Sequence, residues 1–424
     1  MSSHTNVNDS SNPTAGSLNQ RNRALRRQES MLLIEPMPAI HRTINVKQQN
    51  ITQEHVKPTL GVPLEKVERH KDLWFEDGDV IIWAEDQDAS LLFRVHRRVL
   101  KESEAEPFCT VVNCDYPNPE TSGEMFLNGV WVLKYHEQDP IDIVLVLKWM
   151  YERPSISKRS TIPFIALKTY LERSDECFSP PMRRCALEYL WNMLPTSLNY
   201  HQRVPTLVGD CYSENPLLFY KPYVLLTLIF LSAQHQLVAI LPLLYYYIAQ
   251  WPVDWITDGV PAAYMEWNNP SPDDSRFPLP RKHIIIVLAG RERLIHMRET
   301  KVFNFMDDFT SNGTTLDIPT QGCDGAKRQE TGETCFEWLM RVWFFMSRFR
   351  FIARPSALEI MNMGQWAELK GNCCEACANR VMVHMLEGRD DVWKALPSAF
   401  GYHNWDFVVE RQKCVEKDFE AEIC

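Results

Sequence analysis

Cysteines in the C-terminal half of the chain are the residues whose type and spacing could bind a metal ion. Cys374 and Cys377 form a CxxC pair, and Cys323 and Cys335 precede them, in and directly after the polar segment 307–334. Four thiolates can hold Zn²⁺ tetrahedrally, and a bound metal would explain how so long a segment is fixed. Because eleven residues separate Cys323 from Cys335, the pattern lacks a second close pair. The sequence therefore leaves two alternatives open, a structural zinc site and a set of free or buried thiols.

His384 is the other side chain near this pair that could do chemistry. It lies seven residues after Cys377 and could complete a set of three Cys and one His around zinc, or act as a base for Cys377. On one helix, however, seven residues correspond to about 10 Å, which exceeds the hydrogen-bond reach that general-base catalysis needs. The sequence contains no GxxxxGK[ST], GxGxxG, GxSxG or HExxH motif, and the CxxC pair lacks a βαβ context. We therefore predict that the protein is not an enzyme.

Short β-prone runs and helical patterns alternate in the first half of the chain, beginning near Trp74. Runs rich in β-branched and aromatic residues predict strands, and apolar residues at helical spacing, opened by Pro140 in one case, predict helices. The predicted order is strand, strand, helix, strand, helix, helix, helix, with the strands at Val80–Trp83, Leu91–Val95 and 129–136, and the last three helices at 141–152, 162–173 and 182–194.

Two polar residues flank the predicted hairpin. Asp79 precedes its first strand, and His96 follows its second strand. Because buried polar groups are normally paired, we predict that Asp79 bonds to His96 or to backbone and so ties the hairpin to the next helix. The strand and helix periodicity predicts that Phe93, Val95, Val99 and Leu100 pack in the core.

This stretch resembles the start of a BTB/POZ domain. The residues that carry the resemblance are Asp77, Gly78, Asp79, Phe93, His96, Arg97, Val99 and Leu100. The helix that ends in LKWMY at residues 147–151, and residues 161–194, are similar to later helices of that family. The strings at 288–294 and 392–401 resemble the extended helical C-terminal region of fungal, basidiomycete-like BTB-domain proteins. With these strings the resemblance spans most of the chain.

The resemblance implies an α+β fold, in which a BTB/POZ domain, a helical cluster capped by a short β-sheet, is followed by a mainly α-helical C-terminal domain. It also implies a non-enzymatic protein–protein interaction module, either a homo-oligomerising scaffold or a cullin-type ubiquitin-ligase substrate adaptor. The partners would then be proteins, including a second copy of the chain and a cullin. The alternative is a zinc-stabilised regulatory domain, related to transcription, that its BTB portion dimerises.

The predicted organisation has four parts. They are a disordered tail at 1–65, the BTB/POZ domain at 70–195, a helical region with the cysteine-containing loop at 205–410, and a second tail at 411–424. The apolar stretch 223–247 is interrupted by polar residues, which predicts two buried helices rather than a membrane span. Aromatic residues at helical spacing are predicted to lie in the core. These are Tyr245, Tyr246, Tyr247, Trp343, Phe344, Phe345, Phe349 and Phe351.

Charge and composition narrow the function further. The chain has 45 Lys and Arg against 55 Asp and Glu in 424 residues, so we expect no direct nucleic-acid binding. Twelve cysteines and a polar N-terminus predict a cytoplasmic or nuclear protein that is neither secreted nor membrane-spanning. A basic cluster before Ser30 fits a solvated tail, a nuclear signal or a kinase site. Its members are Arg21, Arg23, Arg26 and Arg27.

Overall fold

A computed structural model provides the structure of the chain. It describes residues 64–85, 89–102, 125–136, 139–152, 164–176, 179–201, 221–265, 275–305, 323, 332–348, 353–361 and 363–423. Nearly all of the predicted N-terminal tail, with its basic cluster, lies outside the described residues, as do Phe349 and Phe351. Within the described residues, no helix is both long and apolar enough to span a bilayer.

The N-terminal part of the described chain contains a five-stranded sheet in the order β1-β3-β2-β5-β4. The strands are β1 (Glu68–Trp74), β2 (Val80–Glu85), β3 (Ser90–Val95), β4 (Met125–Leu127) and β5 (Val130–His136). Strands β2 and β3 form the predicted antiparallel hairpin, and β5 pairs in parallel with β2. Strand β1, which pairs with β3 in parallel, was not predicted, since only Leu73 in its charged sequence is buried.

Side chains alternate between the two faces of this sheet. Val80, Ile82 and Phe93 belong to the large core that includes the helices, whereas Ile81 and Trp83 belong to a smaller cluster on the opposite face. A strand that is buried on both faces needs an almost continuous apolar sequence, which explains the run VIIWA in β2.

In the described residues up to His201, five helices accompany the sheet. They are α1 (Arg97–Glu102), α2 (Pro140–Glu152), α3 (Phe164–Glu176), α4 (Pro180–Met193) and the short α5 (Leu198–His201). Pro140 begins α2 as predicted, because a proline at the first helical position gives up only an N–H that lacks an intrahelical acceptor. Asp142 of α2 joins α3, where it accepts hydrogen bonds from Thr169 at 2.8 Å and from Arg173 at 2.6 Å.

The rest of the described chain is mainly helical. Its helices are α6 (Pro222–Gln234), α7 (Leu241–Ile248), α8 (Val253–Thr257), α9 (Arg281–Met297), α10 (Cys335–Arg348), α11 (Met363–Asn372), α12 (Glu375–Ala399) and α13 (Trp405–Ile423). A two-stranded ribbon, β6 (Val260–Pro261) with β7 (Arg276–Phe277), precedes α9, and a π-helical turn, Arg298–Val302, follows it. The two buried helices predicted within 223–247 are confirmed as α6 and α7, and Tyr245, Tyr246 and Tyr247 are buried.

The predicted C-terminal tail at 411–424 is wrong for its described part. Helix α13 continues to Ile423, and Arg183 of α4, only 3% exposed, binds both carboxylate oxygens of Glu416 at 2.8 and 3.1 Å. Gln412 is also buried, and its side-chain oxygen accepts a hydrogen bond from the backbone of Ala239. These contacts with buried groups make α13 part of the fold.

The aromatic run of α10 also corrects the sequence interpretation. Phe344 and Phe345 are each 60% exposed, and Trp343 is half-buried, although all three were expected in the core. Helix α10 instead buries Trp338, Leu339 and Met346. Spacing alone did not distinguish the two faces, because apolar residues occupy both of them.

One hydrophobic core extends from Leu73 in β1 to Phe400 after α12. It includes residues from both sides of the boundary that was predicted between 195 and 205, such as Leu190 and Leu225. The chain is therefore mixed α+β, with a small sheet and a helical C-terminal region that share a core.

Candidate metal centre

Four cysteines from three separate parts of the chain come together in the C-terminal region. The sulfur atoms of Cys323, Cys335, Cys374 and Cys377 all lie within 4.8 Å of one another. In a tetrahedral site with Zn–S bonds of about 2.3 Å, neighbouring sulfurs are about 3.8 Å apart. The cluster is therefore of the size that a tetrathiolate zinc ion requires, and only small side-chain shifts would close it around the metal.

Two helix starts position three of these sulfurs. Cys335 is the first residue of α10, Cys374 is the N-cap of α12 in an extended conformation, and Cys377 lies in the first turn of α12. A zinc ion with four thiolates carries a net charge of about −2, and the N-terminus of a helix carries a partial positive charge. The N-termini of α10 and α12 would therefore stabilise the negative charge of such a centre.

Hydrogen bonds between the cysteines favour the thiolate form. The backbone N–H of Cys374 donates to Sγ of Cys335 at 3.2 Å. Burial acts to raise the pKa of Cys374, but hydrogen bonds from the backbone and thiol of Cys377, and from the thiols of Cys323 and Cys335, outweigh burial and lower it to about 7. Thiolate is the form of cysteine that binds metals, so these bonds prepare the site for a cation.

The sulfurs lie at the edge of the core. Cys335 and Cys377 are buried with Leu339, Leu369 and Val381 in the hydrophobic core, whereas Cys323 and Cys374 are partly exposed. Cys373 is buried next to Cys374 but is not one of the four grouped sulfurs, and its backbone N–H donates to the carbonyl of Leu369 in α11. The structure thus selects four of the five cysteines in this region.

His384 does not join the four sulfurs. Its Nε2 contacts Oδ1 of Asn304 at 2.7 Å, at the segment that follows α9. The set of three Cys and one His is therefore not formed, and His384 has a different partner from the one that a Cys377–His384 catalytic pair requires. This contact joins α12 to the segment that follows α9.

The residues of the BTB-like string meet at the junction of the sheet with α1 and α2. Oδ1 of Asp79 accepts a hydrogen bond at 2.7 Å from the backbone N–H of Arg97, the first residue of α1. We predicted that Asp79 pairs with either His96 or the backbone, and the structure shows the bond with the backbone. The side chain of His96 contacts Asp77 instead, with Nε2 3.2 Å from Oδ1, and this hydrogen bond is the main cause that lowers the pKa of Asp77.

Tyr151 is the residue of this junction that sequence reasoning missed. Its hydroxyl accepts the backbone N–H of His96 at 2.9 Å and lies 2.8 Å from Nδ1 of the same residue. Phe75 stacks on the Tyr151 ring, with centroids 4.8 Å apart. The sequence shows Tyr151 at the end of the LKWMY string, but it does not indicate that His96 is its partner.

The remaining string residues pack closely around this junction. Phe93 and Leu100 are fully buried as predicted, whereas Val99 is partly buried against the core. At Gly78 an added Cβ would lie 3.0 Å from backbone atoms of Val95, so the turn leaves little room for a side chain. Its carbonyl accepts a hydrogen bond from Arg94 at 2.8 Å.

The two C-terminal strings, 288–294 and 392–401, contact each other. Gly290 of α9 lies against the ring of Phe400, where any Cβ would overlap the ring atoms. Arg293 donates to the carbonyl of Ala399 at 2.7 Å, near the end of α12. Arg291 donates to the carbonyls of Ala249 and Trp251 after α7. These strings therefore act as packing and capping residues.

No protein-family model, curated protein or solved structure matches the chain.

Proposed function

We propose that the protein is a non-enzymatic interaction protein of the BTB/POZ class. The observation that carries this proposal is the junction formed by the DGDV and HRRVL strings, where Asp79 binds the first turn of α1 and His96 binds Tyr151 of α2. These polar residues have partners within the fold, which supports a structural rather than a catalytic use. We also propose that the chain is related to the fungal BTB-domain proteins that it resembles.

The order of the elements supports the same class. Among the described residues from β2 to α4, the order is a hairpin, a helix, the short strand β4, a strand parallel to the first hairpin strand, and three further helices. A BTB/POZ domain has a short sheet that caps a helical cluster, and here β1 and β2 pack on α2, whose Leu147 belongs to the same hydrophobic core as Val80 and Ile82 of β2. A fold of this kind supports binding of proteins, but it does not name the partner.

The test is the mass of the full-length chain in solution. Size-exclusion chromatography with light scattering distinguishes one chain of 49.5 kDa from a dimer of twice that mass. The same measurement is repeated with the N-terminal domain of the cullin that BTB proteins bind. Co-elution supports an adaptor, and a dimer without co-elution supports a scaffold. A monomer that does not bind the cullin would contradict the proposal.

A second function is favoured by the cysteine cluster. We propose that Cys323, Cys335, Cys374 and Cys377 hold one structural Zn²⁺, so that the C-terminal region works as a zinc-stabilised regulatory domain that the BTB-like part dimerises. The four sulfurs are close enough to bind one ion, and three of them come from the starts of α10 and α12. The ion would join two helices to Cys323, which lies twelve residues before Cys335.

Elemental analysis of protein purified without chelators tests the zinc site. We expect close to one zinc per chain, because a structural site is essentially full, and less than about a tenth would contradict it. Cys335→Ser should lose the metal. Cys414→Ser is the matched control, because Cys414 is an exposed cysteine on α13 outside the cluster and its replacement should leave the zinc content unchanged.

A further inference from the structure

The four clustered sulfurs differ in their access to solvent. Cys335 and Cys377 are only 2% and 1% exposed, whereas Cys323 and Cys374 are partly exposed. Oxidation of a cysteine requires both thiolate character and contact with the oxidant. A small oxidant that arrives from solvent therefore reaches Cys374 before it reaches its buried neighbour Cys377.

Cys374 and Cys377 are also well placed to react with each other. Both belong to the start of α12, at the N-cap and in the first turn, and their sulfurs lie within 4.8 Å. The N-terminus of a helix favours thiolate, and only two residues lie between these cysteines. A bond between them closes a very short loop, whereas a bond to Cys323 or Cys335 joins different segments.

We propose that Cys374 and Cys377 form a peroxide-sensitive pair whose oxidation to a disulfide releases the bound metal. This inference rests on the zinc centre proposed above. It assigns to the same sulfurs two exclusive states, a reduced state that binds Zn²⁺ and an oxidised state that does not.

The oxidation takes two steps with hydrogen peroxide as the oxidant. The Cys374 thiolate attacks one peroxide oxygen, so that an S–O bond forms, the O–O bond breaks and hydroxide leaves. The Cys377 thiolate then attacks the Cys374 sulfur, so that the S–S bond forms, the S–O bond breaks and a second hydroxide leaves. Each hydroxide takes a proton from solvent. The two thiolates together lose two electrons, and peroxide is reduced to two molecules of water.

Loss of the metal follows from the ligand count. After oxidation only Cys323 and Cys335 remain as thiolates, whereas structural zinc sites have four ligands. With the ion released, the start of α10 is no longer joined to that of α12 through a shared metal ion. A dithiol reductant restores both thiolates and allows zinc to bind again.

The experiment uses the full-length zinc-loaded chain and hydrogen peroxide. Released zinc is measured with a chromophoric chelator, and disulfides are located by peptide mass spectrometry after the remaining thiols are alkylated. We expect zinc release in parallel with a Cys374–Cys377 disulfide, and recovery of both thiols and bound zinc after treatment with dithiothreitol and Zn²⁺.

Three variants sharpen this experiment. Cys377→His keeps a metal ligand but removes the disulfide partner, so zinc release should become about tenfold slower or more. Cys373→Ala removes the adjacent buried cysteine, and Cys414→Ser removes an exposed one, and neither should change the release rate. Should Cys377→His fail to fold or to bind zinc, the disulfide map of the unmodified sequence decides the question.

The possible failures can be told apart. Absence of zinc from the purified protein contradicts the zinc centre itself. Zinc that stays bound in excess peroxide, or that leaves with a disulfide between other cysteines, contradicts only the present inference.

Discussion

The junction of the sheet with α1 and α2 and the cysteine cluster at the starts of α10 and α12 both join distant parts of the chain, but by different chemistry. At the first junction, separate hydrogen bonds link Asp79 to Arg97 and Tyr151 to His96. At the second, four thiols converge on one point. A substitution that removes one of several separate hydrogen bonds lowers the free energy of unfolding by about 1 kcal/mol and leaves the other bonds in place. Removal of one ligand of a metal centre instead abolishes the whole centre.

The largest effect on stability is expected from removal of the zinc ion proposed for the cysteine cluster. A ligand present at about a thousand times its Kd stabilises the folded state by about 4 kcal/mol, so chelation or Cys335→Ser should lower the free energy of unfolding by a comparable amount. Hydrogen exchange should become faster in α10 and at the start of α12, while β2, β3 and β5 stay protected. Equal loss of protection in the sheet and in these helices would show that the two junctions are not independent.

The next largest loss of stability is expected from a substitution in α13, which connects the C-terminal region to α4. Glu416→Ala leaves the guanidinium of Arg183 buried without its carboxylate, and loss of one partner of a buried ion pair costs about 3 kcal/mol. The matched control is Glu420→Ala, which breaks the neighbouring but exposed pair with Arg184 and should cost less than about 1 kcal/mol. Chemical denaturation measures both, and similar values for the two variants would contradict the structural role of α13.

A smaller effect is expected at the contact of the two C-terminal strings. Gly290→Ala places a methyl group against the ring of Phe400 and should destabilise the fold by about 1–3 kcal/mol through overpacking. Gly371→Ala provides the control, because Gly371 lies in α11 with open space around it and alanine favours helices. Thermal unfolding should show a lower midpoint for the first variant and an unchanged or higher one for the second.

The smallest effect is expected at the hydrogen-bonded junction. Asp79→Ala removes the acceptor for the first N–H of α1 and should cost about 1 kcal/mol, as for the loss of a helix cap. Asp79→Asn keeps a side-chain oxygen and should cost less. A loss from Asp79→Ala as large as that caused by zinc removal would contradict the contrast between the two junctions.

Much of the N-terminal part could be predicted because its signals are local. The runs of β-branched and aromatic residues in β2 and β3 and the proline that begins α2 depend on residues within a few positions of one another, and the structure has these elements as expected. Strand β1 was missed because its sequence, ERHKDLW, buries a single side chain and lacks the apolar alternation that indicates a strand. The partner of Tyr151 was missed because it lies 55 residues away.

At the candidate metal site, local sequence patterns did not determine which cysteines come together. Sequence reasoning identified Cys323, Cys335, Cys374 and Cys377, but the separation of the first two in the sequence favoured free or buried thiols over zinc, and His384 remained a candidate ligand. Packing of α10, α11 and α12 decided that four sulfurs meet while Cys373 and His384 do not join them.

The sequence by itself determined the secondary structure of the strongly patterned segments, the motif residues and the cysteines that could bind a metal, because these depend on side-chain type and short-range spacing. Only the tertiary structure decided which cysteines converge, that Glu416 of the expected tail binds a buried arginine, and that Phe344 and Phe345 lie at the surface. Such distances and exposures result from the packing of helices that are far apart in the chain, and no local pattern contains that information.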